Sequence, residues 1–224
     1  MTTRLVQLTT GAEARVRNEG AALAAVLVNG GTAKPVEGTW SATSELLARE
    51  LGDRHRRVSF TEVRYRLKSW HALDSCMADA RAALDLAGSL GACRALLIGF
   101  SMGGAVSIGV AGHPAVSGVL GLAPWIPDAL DLDGLRGKRL DVVHGAWDRW
   151  LPGIPGVSPR SSRQGFERAQ ALGVLGTYTL LDRALHGAAV RGRSGELVRL
   201  PRWRAWVEQV DGALQRFAAD AAAT

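Results

Sequence analysis

Apolar residues in this chain fall into short unbroken runs separated by stretches of helical period. Residues 21–28 form one such run and end in Asn29-Gly30-Gly31-Thr32, as a buried central strand followed by a tight loop does. Residues 57–66 alternate apolar and polar positions through Val58, Phe60, Val63 and Tyr65, the period of a strand. Leu96-Leu97-Ile98, residues 116–122, 140–144 and 175–181 supply further strands. Helices fit between them. Residues 41–51 run to Gly52, and Leu73, Met77, Ala80, Leu84 and Ala87 recur at helical spacing before Gly91. Ser161 or Ser162 is positioned to cap a helix reaching Leu172, and Pro201 to open a final helix with Trp203, Val207, Val210, Leu214 and Phe217 on its apolar face. Two shorter strands, residues 4–9 and 14–17, flank a turn at Thr10-Gly11-Ala12 and predict an antiparallel hairpin at a sheet edge.

Strands alternating with helices from about residue 20 onward predict an α/β fold whose doubly wound sheet is mainly parallel and covered on both faces. At 224 residues the chain reads as one domain, residues 1–224, with no internal repeat or low-complexity linker. Apolar residues make up 47% and charged residues 21%, which excludes a disordered chain. No apolar run is long enough to span a bilayer, so no membrane association is expected. The first residues lack the apolar core of a signal peptide, and a cytoplasmic location is the expectation. Cys76 and Cys93 fit no disulfide or metal framework and read as free thiols.

A net charge of +6 and a pI near 10.1 raise the question of an anionic partner. The arginines are dispersed, with clusters only at Arg54-His55-Arg56-Arg57 and between Arg191 and Arg204. Neither cluster is interleaved with aromatic residues in a nucleic-acid-binding motif, so no nucleic-acid partner is expected. The charge reads as a solvated surface.

The candidate chemistry lies at the ends of the strands. In a doubly wound sheet, ligands bind beyond the carboxyl ends of the strands. One of those ends carries Gly99-Phe100-Ser101-Met102-Gly103-Gly104, a Gly-x-Ser-x-Gly pattern between an apolar strand and a small-residue helix. Two later strand ends carry His144-Gly145-Ala146-Trp147-Asp148-Arg149 and Asp182-Arg183-Ala184-Leu185-His186-Gly187. The order of glycine elbow, acid and histidine resembles the α/β-hydrolase superfamily, over most of the chain from about residue 21 onward.

That resemblance implies Ser101 as nucleophile, His186 as its base and Asp148 as the acid that orients the imidazole, with Asp128 in reserve. It further implies an oxyanion hole built from the backbone N–H groups of Met102 and Gly31. Asn29-Gly30 stands where many members carry His-Gly; a backbone donor does not depend on that side chain. His144 reads as a packing or hydrogen-bonding residue of the acid loop, and His55, His71 and His113 as local or solvent-facing ones. Trp125, Trp147 and Trp150 fall in loops expected near the catalytic face, and Trp125 is the candidate substrate-binding wall.

The segment between Leu122 and Leu140 is too short for a cap domain, which points to an open site and an esterase-like member. The expected activity is hydrolysis of carboxylic esters through an acyl-serine, on a small-molecule or acyl substrate and with no metal or other cofactor. Thioester hydrolysis, acyl transfer and peptide cleavage use the same machinery. A non-catalytic hydrolase-fold binding protein is the rival from another class.

Overall fold

The computed structural model of the chain describes residues 3–148 and 156–223. Eight strands form one sheet: β1 (Arg4–Gln7), β2 (Glu13–Arg17), β3 (Leu23–Val28), β4 (Val58–Arg64), β5 (Arg94–Phe100), β6 (Val116–Leu122), β7 (Arg139–Gly145) and β8 (Tyr178–Leu181). Their spatial order is β1-β2-β4-β3-β5-β6-β7-β8. The hairpin β1–β2 is antiparallel and adds to β4 in antiparallel sense, while all pairings from β4 to β8 are parallel. This is the predicted mainly parallel sheet with its N-terminal hairpin at one edge.

The period of two in the strands sorts their side chains to opposite faces. Ala24, Val26, Val28 and Leu97 join one core with residues of α2 (Leu73–Ser89), α3 (Met102–Gly109) and α4 (Pro159–Ala171). Ala25, Leu27, Ile98 and Leu120 join the other with residues of α1 (Ala42–Gly52) and α5 (Trp203–Ala222). Trp206 on α5 is wholly buried, beside Val210 and Phe217. Burying each such side chain is worth about 1.5–3 kcal/mol, so α5 is held by its apolar stripe.

Two helix starts differ from the sequence reading. α4 begins at Pro159, and Ser158 caps it by accepting the Ser161 N–H at 3.1 Å. Three serines compete for that role, and the fixed φ of Pro159 suits the first helical position, so the serine before it wins. α5 begins at Trp203, because Arg202 adopts a left-handed conformation with φ 64° that breaks the turn opened by Pro201. The polar residues of β4 also depart from a one-sided strand. Ser59, Thr61 and Glu62 are buried along with their apolar neighbours, since helices cover both faces there.

Register brings the functional loops together. Val28 pairs with Gly99, Phe100 with Leu122, and Leu122 with Val143. The loops after β3, β5, β7 and β8 therefore open at one edge of the sheet. Between β6 and β7 the chain forms only a 3-10 turn, Asp133–Leu135, and no helical insert rises over that edge. Among the described residues no helix is long and apolar enough to cross a membrane.

Candidate active site

Ser101 sits between β5 and α3 with φ 55° and ψ −119°, a conformation that L-residues seldom adopt. Strain of this kind costs on the order of 1–3 kcal/mol and persists only where the surroundings fix it. Those surroundings are explicit. The Ser101 N–H donates to the Leu122 carbonyl at 2.9 Å, and the Ser101 carbonyl accepts from Gly104 and Trp125, each at 2.9 Å. A Cβ on Gly99 would lie 2.3 Å from the Gly103 carbonyl oxygen, and one on Gly103 would lie 2.2 Å from that of Val28. Both contacts are to backbone, so neither glycine can gain a side chain without shifting α3 against the central strands.

The acid and the histidine come from two loops stitched to each other. The Ala146 N–H donates to the Leu181 carbonyl and the Trp147 N–H to that of Ala184, both at 2.9 Å. Gly145 permits this approach, since a Cβ there would stand 2.4 Å from the Leu185 carbonyl oxygen. On that frame His186 Nδ1 donates to Asp148 Oδ2 at 2.5 Å. The bond fixes the tautomer and leaves Nε2 as an acceptor directed away from Asp148. Thr43 of α1 holds the other side of the histidine loop, accepting from Ala188 and Ala189 N–H and donating to the Ala189 carbonyl. Phe100 packs at 5.0 Å between ring centroids from His186.

Asp148 is buried and serves two imidazoles. His144 Nε2 lies 2.9 Å from Asp148 Oδ2 and 2.9 Å from the Val157 carbonyl. Both of those neighbours accept, so Nε2 carries the proton. The other ring nitrogen meets Ser162 Oγ at 2.7 Å, and Ser162 in turn contacts the Tyr178 hydroxyl at 2.8 Å. Burial pushes the Asp148 carboxyl upward, but hydrogen bonds from His144 and His186 outweigh it and hold the group below the usual carboxylate range. Asp128, the reserve acid, is exposed beside Arg168 and takes no part. Asp182 is likewise at the surface.

Ser101 and His186 line one cleft of about 490 Å³, with the Gly30-Gly31-Thr32 loop on the same wall. That volume lies within the range of small-molecule sites. Among the described residues Ser101 and His186 make no hydrogen bond to each other; such bonds are often long without substrate and tighten in the complex. Gly31 packs against Met102 so closely that a Cβ would meet its sulfur at 2.1 Å. Met102 opens α3, where the first N–H groups have no intrahelical acceptor. The Gly30 N–H is taken by Asn29 Oδ1 at 2.7 Å, whereas that of Gly31 has no such partner among the described residues.

Asn29 anchors the loop in the place where a histidine is common. Its Nδ2 donates to the Thr39 carbonyl at 2.6 Å, and its own carbonyl accepts from the Tyr65 hydroxyl at 2.9 Å. Asn29→Ala removes both side-chain bonds and leaves a half-buried carbonyl and N–H to find water. The expected result is a loss of about 1–3 kcal/mol in urea unfolding, with a lower kcat if the loop holds an oxyanion donor. An unchanged unfolding midpoint would show that the side chain does not support the loop.

One expectation took another form. Trp125 does not line the cleft shared by Ser101 and His186; it packs against Trp70 at 6.3 Å, and its backbone N–H fixes the elbow. Trp147 is half exposed on the acid loop, and Trp150 lies outside the described residues, as does Arg149. The aromatic walls of the cleft are instead Trp40 and Phe100, joined by Lys68 and Arg191. Trp40 and Lys68 carry no local motif, and their arrival at the site depends on how remote segments pack.

No protein-family model matches the sequence, and no curated protein matches it. Solved structures do match. A sugar hydrolase from Lactococcus lactis superposes with a TM-score of 0.72 at 15% identity, covering 98% of this chain and 99% of that one. An α/β serine hydrolase without lid from Xanthomonas campestris gives 0.63 at 16% identity, covering 96% and 92%. A carboxylesterase from Lactobacillus plantarum gives 0.65 at 15% identity, covering 97% of each chain. With the strand order, the elbow and the absence of a helical insert after β6, these likenesses establish that the chain has the α/β-hydrolase fold.

Proposed function

We propose that the chain is a serine hydrolase that cleaves carboxylic esters through an acyl-serine intermediate. The observation that carries this reading is the His186–Asp148 hydrogen bond at the edge of a cleft that also holds Ser101 in its elbow conformation. A serine hydroxyl is a weak nucleophile at neutral pH and needs a base at the moment of attack. In this reading His186 Nε2 takes the Ser101 proton as Oγ bonds to the ester carbonyl carbon. The imidazolium that forms is stabilised by Asp148. The carbonyl oxygen, now negative, is met by the N–H groups of Met102 and Gly31. Collapse breaks the ester C–O bond, and His186 returns the proton to the departing alcohol. Water then repeats the sequence on the acyl-serine and releases the acid.

The esterase and serine-hydrolase neighbours favour this chemistry, and the cleft, without a helical insert over it, suits a substrate that enters from solvent. Thioesters, acyl transfer and peptides remain within reach of the same residues and are separated by a substrate panel. The decisive experiment is labelling with a fluorophosphonate probe. The native chain is expected to label and Ser101→Ala to remain unlabelled, with turnover of short activated esters lost in parallel. Absence of Ser101-dependent labelling together with absence of ester turnover favours a non-catalytic binding protein.

A further inference from the structure

The cleft beside Ser101 is charged on one side only. Lys68 and Arg191 line it, and among the described residues no aspartate or glutamate does. The two cations are not equivalent. Arg191 already has a carboxylate partner in Glu45 of α1, which it shares with Arg15 and Arg49. Lys68 has no carboxylate partner among the described residues. Its Nζ donates to Thr39 Oγ1 at 2.7 Å, leaving two of three ammonium donors without a protein acceptor.

The position of Lys68 is built. It ends the short strand Leu67–Lys68, which pairs with Val36–Glu37. Thr32, at the end of the Gly30-Gly31 loop, donates to the Lys68 carbonyl at 3.2 Å, and the Trp70 N–H donates to the Thr32 carbonyl at 3.1 Å. Thr39, which holds the ammonium, is tied to Asn29 through its carbonyl. One hydrogen-bonded frame thus carries both the Gly31 loop and the lysine. Glu37, the nearest acid in sequence on the paired strand, is engaged by Arg64 instead.

We propose that Lys68 selects substrates, its ammonium pairing with a carboxylate carried on the acyl or the alcohol part of the ester cleaved at Ser101. This inference rests on the esterase reading above. A half-buried ammonium without a counter-ion is costly, and burial pulls its pKa below the ordinary lysine value. An entering carboxylate supplies the missing partner and accepts the two unused donors. Of the two cations in the cleft only Lys68 has no carboxylate partner among the described residues, which suits a single entering carboxylate at its ammonium. The apolar Phe100 and Trp40 walls would take the carbon chain between that group and the ester.

The test uses two matched pairs of activated esters. One pair places the carboxylate on the acyl side, as mono-4-nitrophenyl adipate against its methyl ester; the other places it on the alcohol, as 4-acetoxybenzoate against methyl 4-acetoxybenzoate. The native chain is expected to favour the carboxylate member of at least one pair by about tenfold to hundredfold in kcat/KM, the range for a hydrogen bond to a charged group. Lys68→Gln should bring that ratio close to one, Lys68→Glu should invert it, and Lys68→Arg should retain it. Raised ionic strength should shrink the native preference. Turnover of the neutral esters with no carboxylate preference in either pair overturns the inference and leaves the esterase reading standing. A preference that survives Lys68→Glu overturns it as well. No turnover of any ester, with no Ser101 labelling, removes the esterase reading and this inference with it.

Discussion

Asp148→Asn is expected to lower kcat on any ester the native chain turns over by about 10⁴-fold, the order that follows when a triad carboxylate becomes an amide. The geometry explains the size. Asp148 Oδ2 receives N–H groups from both His186 and His144. An amide cannot accept both and balance the imidazolium charge, and presenting its NH₂ to His186 would favour the wrong tautomer. The His186 nitrogen facing Ser101 would then carry a proton and could not act as a base. A loss of less than tenfold, with labelling of Ser101 intact, would remove Asp148 from the acid role.

The same substitution carries a stability signature with a defined sign. The Asp148 carboxyl is depressed in the folded chain, so its ionised form stabilises the fold at every pH above the unfolded value of 3.8. That contribution is lost as pH falls through the folded value. The native chain should therefore lose stability in acid below about pH 4, and Asp148→Asn should lose it at neutral pH instead. Measuring kcat well below the variant's melting temperature separates the chemical effect from unfolding.

How much of this was legible in the sequence depended on whether the determinant was local. Gly99 and Gly103 flank Ser101 because the bend leaves no room for a Cβ, a constraint confined to a few residues and visible as a pattern. The strands that precede Asp148 and His186 are short segments rich in Val, Leu and Thr, RLDVVHG and YTLL, so their ends could be found. The partners of those residues were less accessible. Ser162 reads as one more helix-start serine, yet in α4 it reaches His144 near the end of β7. Thr43 is one residue inside α1 and is informative only once the histidine loop lies against it. Trp125 held the right neighbourhood but the wrong surface, because its backbone, not its ring, serves the elbow. Lys68 sits on a two-residue strand with no periodicity to report it.

Glu62 gives the second large effect, on stability and not on chemistry. It lies on β4 opposite Leu27 of β3 and Arg15 of β2, only 2% exposed, and neither carboxyl oxygen has a hydrogen-bond partner among the described residues. Burial pushes its pKa up to about 7; Arg15 pulls the value down, and Glu45 adds to the rise. For a raised carboxyl the unfolded chain releases its proton first. Between about pH 4.5 and 7 the folded state binds more protons than the unfolded one, so stability falls as pH rises, and above pH 7 the penalty is constant. At 1.36 kcal/mol per unit the penalty at pH 8 is about 3 kcal/mol. Glu62→Gln keeps the shape and removes the charge. It is expected to raise unfolding stability at pH 8 by up to about 3 kcal/mol and by almost nothing at pH 4.5, as read from urea midpoints at constant m. Equal gains at both pH values would mean that the amide packs better and that the buried charge is not the cause. A loss at pH 8 would mean that the arginines around Glu62 depend on its negative charge more than burial opposes it.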